Sequence, residues 1–275
     1  IQMRQLDASN LRQRLDGSAQ AMELQPLVGQ FNALMDRLER AYLQLEGFNA
    51  DVAHELQTPL TTLTTSIEVA LLQGRYPAEV ADLLGSNLEE LRRLAGIIRD
   101  MLFLSHADSG KRAQGQWVNS VAALAHVVSE YHEAALADPR LTIKVQGDGE
   151  GRLDDGLIKR ALSNLLGNAT RYASEGSTIV VSISASHGWL ELIVINQGPP
   201  IEPTDLPRLF DRFYRADTAR SQGQHHHHGL GLAIVAAIAR MHGGGVLASS
   251  EQGMTRIGIR LPLKSEPESL PNPEA

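Results

Sequence analysis

The sequence predicts a multidomain protein in which an all-α helical hairpin precedes an α/β two-layer sandwich. Residues 45–102 place apolar side chains at close to seven-residue spacing in two long stretches, and a glycine- and proline-bearing turn separates these stretches. After a polar, glycine-bearing stretch at 105–116, strand-like segments with short turns are interspersed with single helices. That order is typical of a helical domain followed by a sandwich of one sheet and one helical layer.

Composition sets the broad class of the protein. The 275 residues are 43% hydrophobic and 21% charged, which suits a soluble globular protein of about two domains. A formal net charge of −7 argues against a nucleic-acid-binding surface, and the lack of cysteine excludes disulfides and thiolate chemistry. No apolar run approaches the roughly 20 residues of a membrane span. The chain opens at Ile1 in mid-pattern, so we expect it to be an excised soluble part of a longer protein.

The first long helix is predicted to start within a polar N-terminal segment. Residues 1–45 show helical apolar spacing from Leu27 onward, which indicates the end of a linker module that feeds a long helix. An apolar seam continues through 45–71, stops at QGRYPAE (73–79), and resumes in a second helix. These two helices define a predicted hairpin domain at 46–108. Because a lone hairpin cannot bury both seams, we expect two chains to pair as a four-helix bundle.

The second half of the chain is predicted to hold the sandwich. A linker is expected at 109–116, the domain itself at 117–263, and a disordered tail at 264–275. The expected elements are a helix at 119–137, a strand at 141–147, a helix at 155–172, strands at 178–186 and 189–196, a helix at 230–242, and strands near 244–249 and 254–261.

The segment FNADVAHELQTPL (48–60) concentrates reactive side chains within the first helix. At about 100° per residue, His54 points away from the apolar seam toward solvent, and taken alone it is an ordinary surface histidine. Glu55 can accept the imidazole proton and leave the other ring nitrogen nucleophilic. Thr58, one turn on, shares the face of His54 and could orient a water molecule there. Pro59 removes a backbone donor, so we expect the helix to bend just past this point.

The segment NLLGNATRYA (164–173) gives one helix a polar face. Asn164, Asn168 and Arg171 follow helical spacing, and Tyr172 lies beside them. By itself this is as readily an ordinary polar helix surface. Amide oxygens are also hard ligands suited to Mg²⁺, which keeps water and nucleotide phosphates as further ligands. Both interpretations stay open on this segment alone.

Three further segments follow in order. VINQGPPI (194–201) ends a strand in a turn that needs no function. LFDRFYRAD (209–217) combines aromatic side chains with two arginines, and a docked loop with solvated charges explains it equally well. GLGLAIV (229–235) opens a helix, where glycines let backbone amides approach an anion that the helix dipole favours.

Taken in this order, the five segments resemble the sequence boxes of bacterial sensor histidine kinases of two-component systems. HELQTPL resembles their phosphoacceptor box, and the four later segments resemble the N, adenine-binding, F and G boxes of their ATP-binding domain. Residues 1–45 resemble the distal part of a HAMP-type linker, so the resemblance spans nearly the whole chain. It implies that the sandwich is an ATP-binding domain of the histidine kinase (GHKL) type.

The resemblance also implies roles for individual residues. His54 would be phosphorylated, Glu55 would assist proton removal, and Thr58 would help to hydrolyse the phosphoryl group of a partner. Asn164 and Asn168 would hold Mg²⁺. The other implied nucleotide contacts are Arg171 to the phosphates, Tyr172, Asn196 and Gly198 to the nucleotide, Arg212 or Arg215 to a phosphate, and Gly229, Leu230, Gly231 and Leu232 to the triphosphate.

The sequence departs from the family pattern at three positions. Gln57 stands where many relatives carry arginine, and we expect it to face elsewhere than His54. Asn196 and Pro200 replace the aspartate and the second glycine of the adenine-binding box. An aspartate accepts a hydrogen bond from the adenine amino group, and asparagine can accept the same bond without charge. We therefore expect weaker or retuned adenine binding.

The resemblance implies an ATP- and Mg²⁺-dependent protein-histidine kinase. Such a protein phosphorylates itself on His54 and passes the phosphoryl group to an aspartate of a response regulator, with phosphatase activity toward that regulator. The resemblance further implies a homodimer on the cytoplasmic side of a bacterial inner membrane, anchored through an N-terminal part that precedes the chain. Two alternatives stay open: an ATP-impaired, phosphatase-dominated relative, indicated by Asn196 and Pro200, and a non-catalytic dimeric scaffold.

The segment GQHHHHGLGL (223–232) contains four consecutive histidines. Imidazole is a common transition-metal ligand, so the run alone indicates a metal site. Its place between the F and G boxes favours a polar, flexible stem of an ATP lid, with metal binding or engineering as alternatives. We expect protonation of His225–His228 to draw this lid toward ATP.

Overall fold

The computed structural model describes residues 14–15, 25–108, 110, 112–134, 136, 140–216 and 228–263. The chain divides into two compact units, the first ending at residue 109 and the second starting at residue 110. The described part of the first unit is mainly helical, and that of the second combines β-strands with α-helices. The predicted order, a helical hairpin followed by an α/β domain, is confirmed.

Two long helices form the first unit. Helix α1 spans Gln25–Leu72, which is 48 residues, and helix α2 spans Ala78–Asp108, which is 31 residues, and the two pack against each other. The turn between them uses Gly74, whose φ of +62° is a left-handed conformation that glycine adopts without a steric penalty. The Pro77 carbonyl then accepts a hydrogen bond from the Val80 amide at 3.0 Å, which starts α2. The predicted break between the helices is confirmed.

The apolar seam of the hairpin is not covered within one chain. On α1, Phe48 is 63% exposed and Leu63 is 51% exposed, and on α2 Met101 is 47% exposed. A helix of this kind gains most of its stability from packing of its apolar face, so these side chains call for a further element to cover them. None of the described helices is apolar enough over a sufficient length to cross a bilayer.

Helix α1 continues through Pro59. A proline inside a helix removes one backbone donor, and its ring crowds the carbonyl four residues earlier. The backbone nevertheless stays helical up to Leu72, so Pro59 does not end the helix as it does in many sequences.

The second unit is an α/β sandwich with one main sheet. Its elements in chain order are β1 (Gln116–Val118), α3 (Val121–Ala134), β2 (Thr142–Gln146), β3 (Gly151–Leu153), α4 (Asp155–Tyr172), β4 (Thr178–Ser186), β5 (Trp189–Gln197), a short 3-10 helix (Leu206–Arg208), α5 (Gly231–Met241), β6 (Gly245–Glu251) and β7 (Met254–Pro262). The main sheet has the strand order β2-β4-β5-β7-β6, in which β2 and β4 are parallel and the other neighbours are antiparallel. Strands β1 and β3 form a separate antiparallel pair.

One face of the main sheet packs against the helices. Alternate residues of β4, β5 and β7 are buried, because successive side chains of a strand point to opposite faces. The apolar faces of α4 and α5 complete the core with Leu162, Leu166, Ile234 and Ile238, all of which are fully buried. The result is the predicted two-layer sandwich, and it places the polar face of α4 beside the start of α5.

Candidate functional site

The first unit presents His54 on the exposed side of α1, in a shallow, open groove that is lined by residues of α1 alone. His54 and Thr58 both line this groove. Gln57 lines it too, so the expectation that Gln57 faces elsewhere is wrong. Three helical residues turn through about 300°, which leaves Gln57 only about 60° from His54. Glu55 is exposed but does not line the groove, whose other lining residues are Thr61, Thr62, Thr65, Ser66 and Val69.

The hydroxyl groups of this groove differ in how they are bonded. Those of Thr61, Thr62 and Ser66 each donate to the carbonyl four residues earlier, at 2.9, 3.1 and 2.8 Å respectively. Within the described part of the chain, the Thr58 hydroxyl makes no such bond. A hydroxyl tied to the helix backbone is held in place, whereas that of Thr58 can bond to a water or a ligand.

The second unit contains a cavity of about 650 Å³ between α4, the loop after β5, the start of α5 and strand β7. Nine of the residues implied to contact the nucleotide or Mg²⁺ line it: Asn164, Asn168, Arg171, Tyr172, Asn196, Arg215, Gly229, Gly231 and Leu232. Four separate sequence segments therefore meet around one cavity. The sandwich brings them together because the N-terminus of α5 approaches the polar face of α4.

Asn164 and Asn168 provide amide oxygens on one wall of the cavity. The Asn164 Nδ2 donates to the Arg160 carbonyl at 2.9 Å, which leaves Oδ1 as the atom available to a ligand. This Oδ1 would lie only 2.9 Å from a Cβ added at Gly231, so the glycine lets the start of α5 approach the amide closely. The two amides fit a hard cation such as Mg²⁺, because their oxygens are neutral acceptors beside an open cavity.

The start of α5 lines part of the cavity and is suited to an anion. Backbone amides at a helix N-terminus and the helix dipole both favour negative charge. Gly229, with a φ of +66°, leads into this helix, and its carbonyl accepts the Phe213 amide at 3.0 Å. Arg215, half-buried on the neighbouring segment, and Arg171 on α4 add two guanidinium groups to the wall.

Near Tyr172, at the end of α4, the cavity lining includes two buried polar side chains. Asn196 on β5 and Thr255 on β7 are cross-strand partners, and each is 5% exposed. The surrounding walls come from Pro199, Pro200, Ile201, Leu209 and Ile257. A flat apolar slot with a few hydrogen-bonding groups is suited to a heterocyclic base. Thr255 has no signal in the sequence, because its place beside Asn196 depends on the strand order of the sheet.

His132 on α3 is a cavity residue that the sequence patterns do not indicate. Its Nε2 lies 3.1 Å from the Ser163 hydroxyl on α4. Partial burial lowers the pKa of His132 below its ordinary value of 6.5, because the charged ring would lose hydration. His132 is therefore neutral at neutral pH, and its Nε2 can either donate a hydrogen bond to the Ser163 hydroxyl or accept one from it.

Three of the residues singled out from the sequence do not line the cavity. Gly198 supports it indirectly: a Cβ there would lie 2.1 Å from the Tyr172 carbonyl, so only glycine permits this approach of the loop to α4. Leu230 is 3% exposed and belongs to the core, and Arg212 is exposed outside the cavity. Of the two arginines that the sequence left open, Arg215 is the one on the cavity wall.

The histidine run lies mostly beyond what the structure describes. His225, His226 and His227 are outside the described residues, and so is most of the predicted lid stem. Within the described ranges, no three His, Asp or Glu side chains come together as a metal-binding cluster.

Two family models match the chain. Residues 44–110 match the His Kinase A (phospho-acceptor) domain, and residues 153–265 match the histidine kinase-, DNA gyrase B-, and HSP90-like ATPase. The first match contains His54, and the second contains nearly all the residues that line the cavity.

Similar proteins agree with this division. Sensor histidine kinase CusS of Escherichia coli (strain K12) is 41% identical over 262 residues, which are 95% of this chain and 54% of CusS. Sensor protein CopS of Pseudomonas syringae pv. tomato is 40% identical over 219 residues, 80% of this chain and 45% of CopS. The crystal structure of full-length ShkA in complex with AMPPNP has a TM-score of 0.68 at 22% identity, covering 80% of this chain and 46% of that one, which shows a shared fold.

A phosphoacceptor hairpin followed by an ATPase sandwich defines the class of protein-histidine kinases. The chain belongs to the sensor histidine kinases of two-component systems. It spans about half the length of the curated relatives that it matches.

Proposed function

We propose that the chain catalyses transfer of the γ-phosphoryl group of ATP to His54 and then to an aspartate in the receiver domain of a response regulator. The observation that carries this proposal is the pairing of an exposed histidine, in a hydroxyl-lined groove, with a nucleotide-sized cavity in the same chain. The cavity has an apolar end with two buried polar groups and an anion-binding end at a helix N-terminus. These ends match a purine base and a triphosphate.

The residues at the anion-binding end supply positioning and charge. The amides at the start of α5, together with Arg171 and Arg215, can bind phosphate oxygens. Asn164 and Asn168 would hold Mg²⁺, which when bound neutralises charge on the phosphates. Phosphoryl transfer needs little covalent chemistry from the protein, so positioning and charge neutralisation account for most of the catalysis.

His54 would act as the nucleophile. One imidazole nitrogen bonds to the γ-phosphorus while the bond to the β-phosphate oxygen breaks, and ADP leaves with that electron pair. The proton on the other ring nitrogen is taken or held by Glu55, the adjacent carboxylate on α1. The exposure of His54 supports this role, because the phosphoryl group must arrive from one protein domain and depart to another.

Thr58 would serve the proposed phosphatase activity, which removes the phosphoryl group from the regulator by hydrolysis. It lines the same groove one turn from His54, and its hydroxyl is not committed to the backbone. Such a hydroxyl can orient a water for attack on an aspartyl phosphate. The comparisons favour neither the ATP-impaired relative nor the non-catalytic scaffold.

The exposed seam supports a homodimer. An apolar cover is needed over Phe48, Leu63 and Met101, and the same surface of a second copy supplies one through a four-helix bundle.

We also propose that the full-length protein is held in a bacterial inner membrane with this portion on the cytoplasmic side. The accompanying domain division is a HAMP-type linker end at 1–45, the dimerisation hairpin at 46–108, a linker at 109–116, the ATP-binding domain at 117–263 and a tail at 264–275.

The test is incubation of the chain with γ-labelled ATP and Mg²⁺, followed by gel analysis under denaturing conditions. Acid-labile label is expected on the wild type and on His126→Gln, a control that removes an exposed histidine from α3. Label is expected to disappear in His54→Gln. An unlabelled wild type, or a labelled His54→Gln variant, overturns the proposed kinase activity.

A further inference from the structure

The amide of Asn196 is a buried polar group that the protein leaves largely unpaired. It is 5% exposed and faces the cavity. Its Nδ2 donates to the Gln197 carbonyl at 3.5 Å, the outer limit of a hydrogen bond, and among the described residues nothing donates to its Oδ1. Buried amides are normally hydrogen-bonded, and this one is open to a partner in the cavity. Because this bond is weak, rotation of the amide by 180° would break no strong hydrogen bond.

The position of Asn196 identifies which part of a ligand it meets. The cavity lining also includes the apolar side chains of Ile201, Leu209 and Ile257. The loop after Asn196 meets α4 at Tyr172, whereas the start of α5 meets α4 at Asn164, about 12 Å away along the helix. A nucleoside triphosphate fits this cavity with its base toward Asn196. This assignment rests on the proposed function, which makes the cavity a nucleotide site.

We propose that the base end accepts 6-oxopurine nucleoside triphosphates as well as 6-aminopurine ones. A carboxamide carries an acceptor and a donor side by side. In one orientation, Oδ1 accepts from the 6-amino group of adenine while Nδ2 donates to N1. Rotated by 180°, Nδ2 donates to the 6-oxo group while Oδ1 accepts from the protonated N1. One side chain therefore satisfies both classes of base with two hydrogen bonds each.

The hydroxyl groups of Thr255 and Ser250 can also switch between donating and accepting a hydrogen bond. The Thr255 Oγ1 lies 3.3 Å from the Ser250 Oγ, and either oxygen can be the donor. The Ser250 Oγ also accepts the Ile201 amide at 3.0 Å, which holds the loop over the base end. Because hydroxyl protons reorient without moving heavy atoms, this pair does not force one base over the other.

A carboxylate at position 196 would behave differently. An ionised carboxylate only accepts hydrogen bonds, so it would bind the 6-amino group and repel the 6-oxo group. Asn196→Asp has nearly the same shape as the wild type, but it replaces the donor with a second acceptor and adds a negative charge. The Asn196→Asp variant should therefore bind adenine nucleotides in preference to 6-oxopurine nucleotides, whereas the wild type should bind both.

The experiment compares ATP with ITP, which differ on the base at position 6 and at the N1 proton. Dissociation constants are measured by calorimetry with Mg²⁺ for the wild type, for Asn196→Asp, and for Asn87→Asp, the same change on the exposed surface of α2. On the wild type and on Asn87→Asp, ITP is expected to bind within about tenfold of ATP. In Asn196→Asp the preference for ATP is expected to rise at least tenfold, or about 1.4 kcal/mol.

The outcomes separate this inference from the proposed function. If ATP binds and ITP binds more than a hundredfold more weakly to the wild type, the inference is wrong and the nucleotide site stands. If the preference is the same in a folded Asn196→Asp variant, the amide does not read position 6 and the inference is again wrong. If neither nucleotide binds the wild type, the proposed function fails and the inference with it. The wild-type ratio decides even if Asn196→Asp does not fold.

Discussion

The Phe213 amide donates to the Gly229 carbonyl at 3.0 Å, and both residues have positive φ angles, +62° and +66°. This bond joins the residue before Tyr214, Arg215 and Ala216, which line the cavity, to the glycine that leads into α5. A ring contact supports the same region, because the Arg208 guanidinium lies 4.3 Å from the centre of the Tyr214 ring. The Tyr214 hydroxyl donates to Asp205 at 2.7 Å. Phe213 and Tyr214 are thus held close to the start of α5.

The first prediction concerns Gly229→Ala. A Cβ at this position would lie 2.7 Å from the Tyr214 carbonyl oxygen, in a backbone conformation that disfavours alanine. We expect a strain of about 1–3 kcal/mol, a displaced Phe213–Gly229 bond and weaker ATP binding. Calorimetric titration with ATP and Mg²⁺ measures the loss. The control is Gly245→Ala, where an added Cβ meets nothing within 4 Å, and equal affinities of the two variants would contradict the prediction.

The second prediction concerns the amide oxygen of Asn164. Because its Nδ2 is bonded to Arg160, the Oδ1 is the group that Asn164→Ala removes from the cavity. We expect ATP affinity with Mg²⁺ to fall at least about tenfold, and affinity in EDTA to change little. Equilibrium binding with and without Mg²⁺ separates the two. A similar loss in both conditions would assign Asn164 to the nucleotide itself, contrary to its proposed role toward the metal.

The third prediction concerns His132 and pH. Burial lowers the pKa of His132 in the folded chain, so the unfolded chain takes up this proton at higher pH. The contribution of His132 to the free energy of unfolding is therefore full above about pH 6.5 and falls as the pH drops toward the folded pKa. His132→Gln, which can still bond Ser163, should lose less stability on acidification. Urea unfolding at several pH values measures this, with His126→Gln as the control on the same helix.

The fourth prediction concerns Thr58. Thr58→Ala should keep autophosphorylation of His54 but lower dephosphorylation of the phosphorylated regulator on the order of a hundredfold, because a water loses its orientation. Thr61→Ala is the matched control, since that hydroxyl lines the same groove but is bonded to the Gln57 carbonyl. Release of inorganic phosphate from the regulator is the measurement. If the two variants lowered dephosphorylation equally, Thr58 would have no specific role in the reaction.

Regular elements with strong periodicity were predictable from the sequence. Helix α4 and strand β4 have the predicted bounds, because both combine a long apolar pattern with polar ends. Strands β1 and β3 were not predicted, since three residues each are too short to show a period and their pairing links distant segments. The predicted linker at 109–116 includes Gln116, the first residue of β1.

The candidate site divides in the same way. Asn164, Asn168 and Arg171 share a helix face, so local spacing alone brings them together. Thr255 and His132 reach the cavity through the strand order and through the packing of α3 on α4, which no local pattern contains. Gln57 was expected to face elsewhere than His54. The apolar seam indicates which face of α1 is covered, but it does not give the width of the exposed face, which includes both residues.

Pro59 has a consequence for the backbone next to the phosphoacceptor. It has no N–H, so the Glu55 carbonyl, in the residue after His54, lacks its donor in the helical ladder. Local opening of a helix costs less where one of its backbone bonds is missing. Amide protons in this turn should therefore exchange with deuterium faster than those of the turns on either side. His54, the proposed site of phosphorylation, is thus carried by a stretch of α1 that is locally less protected while the helix around it stays continuous.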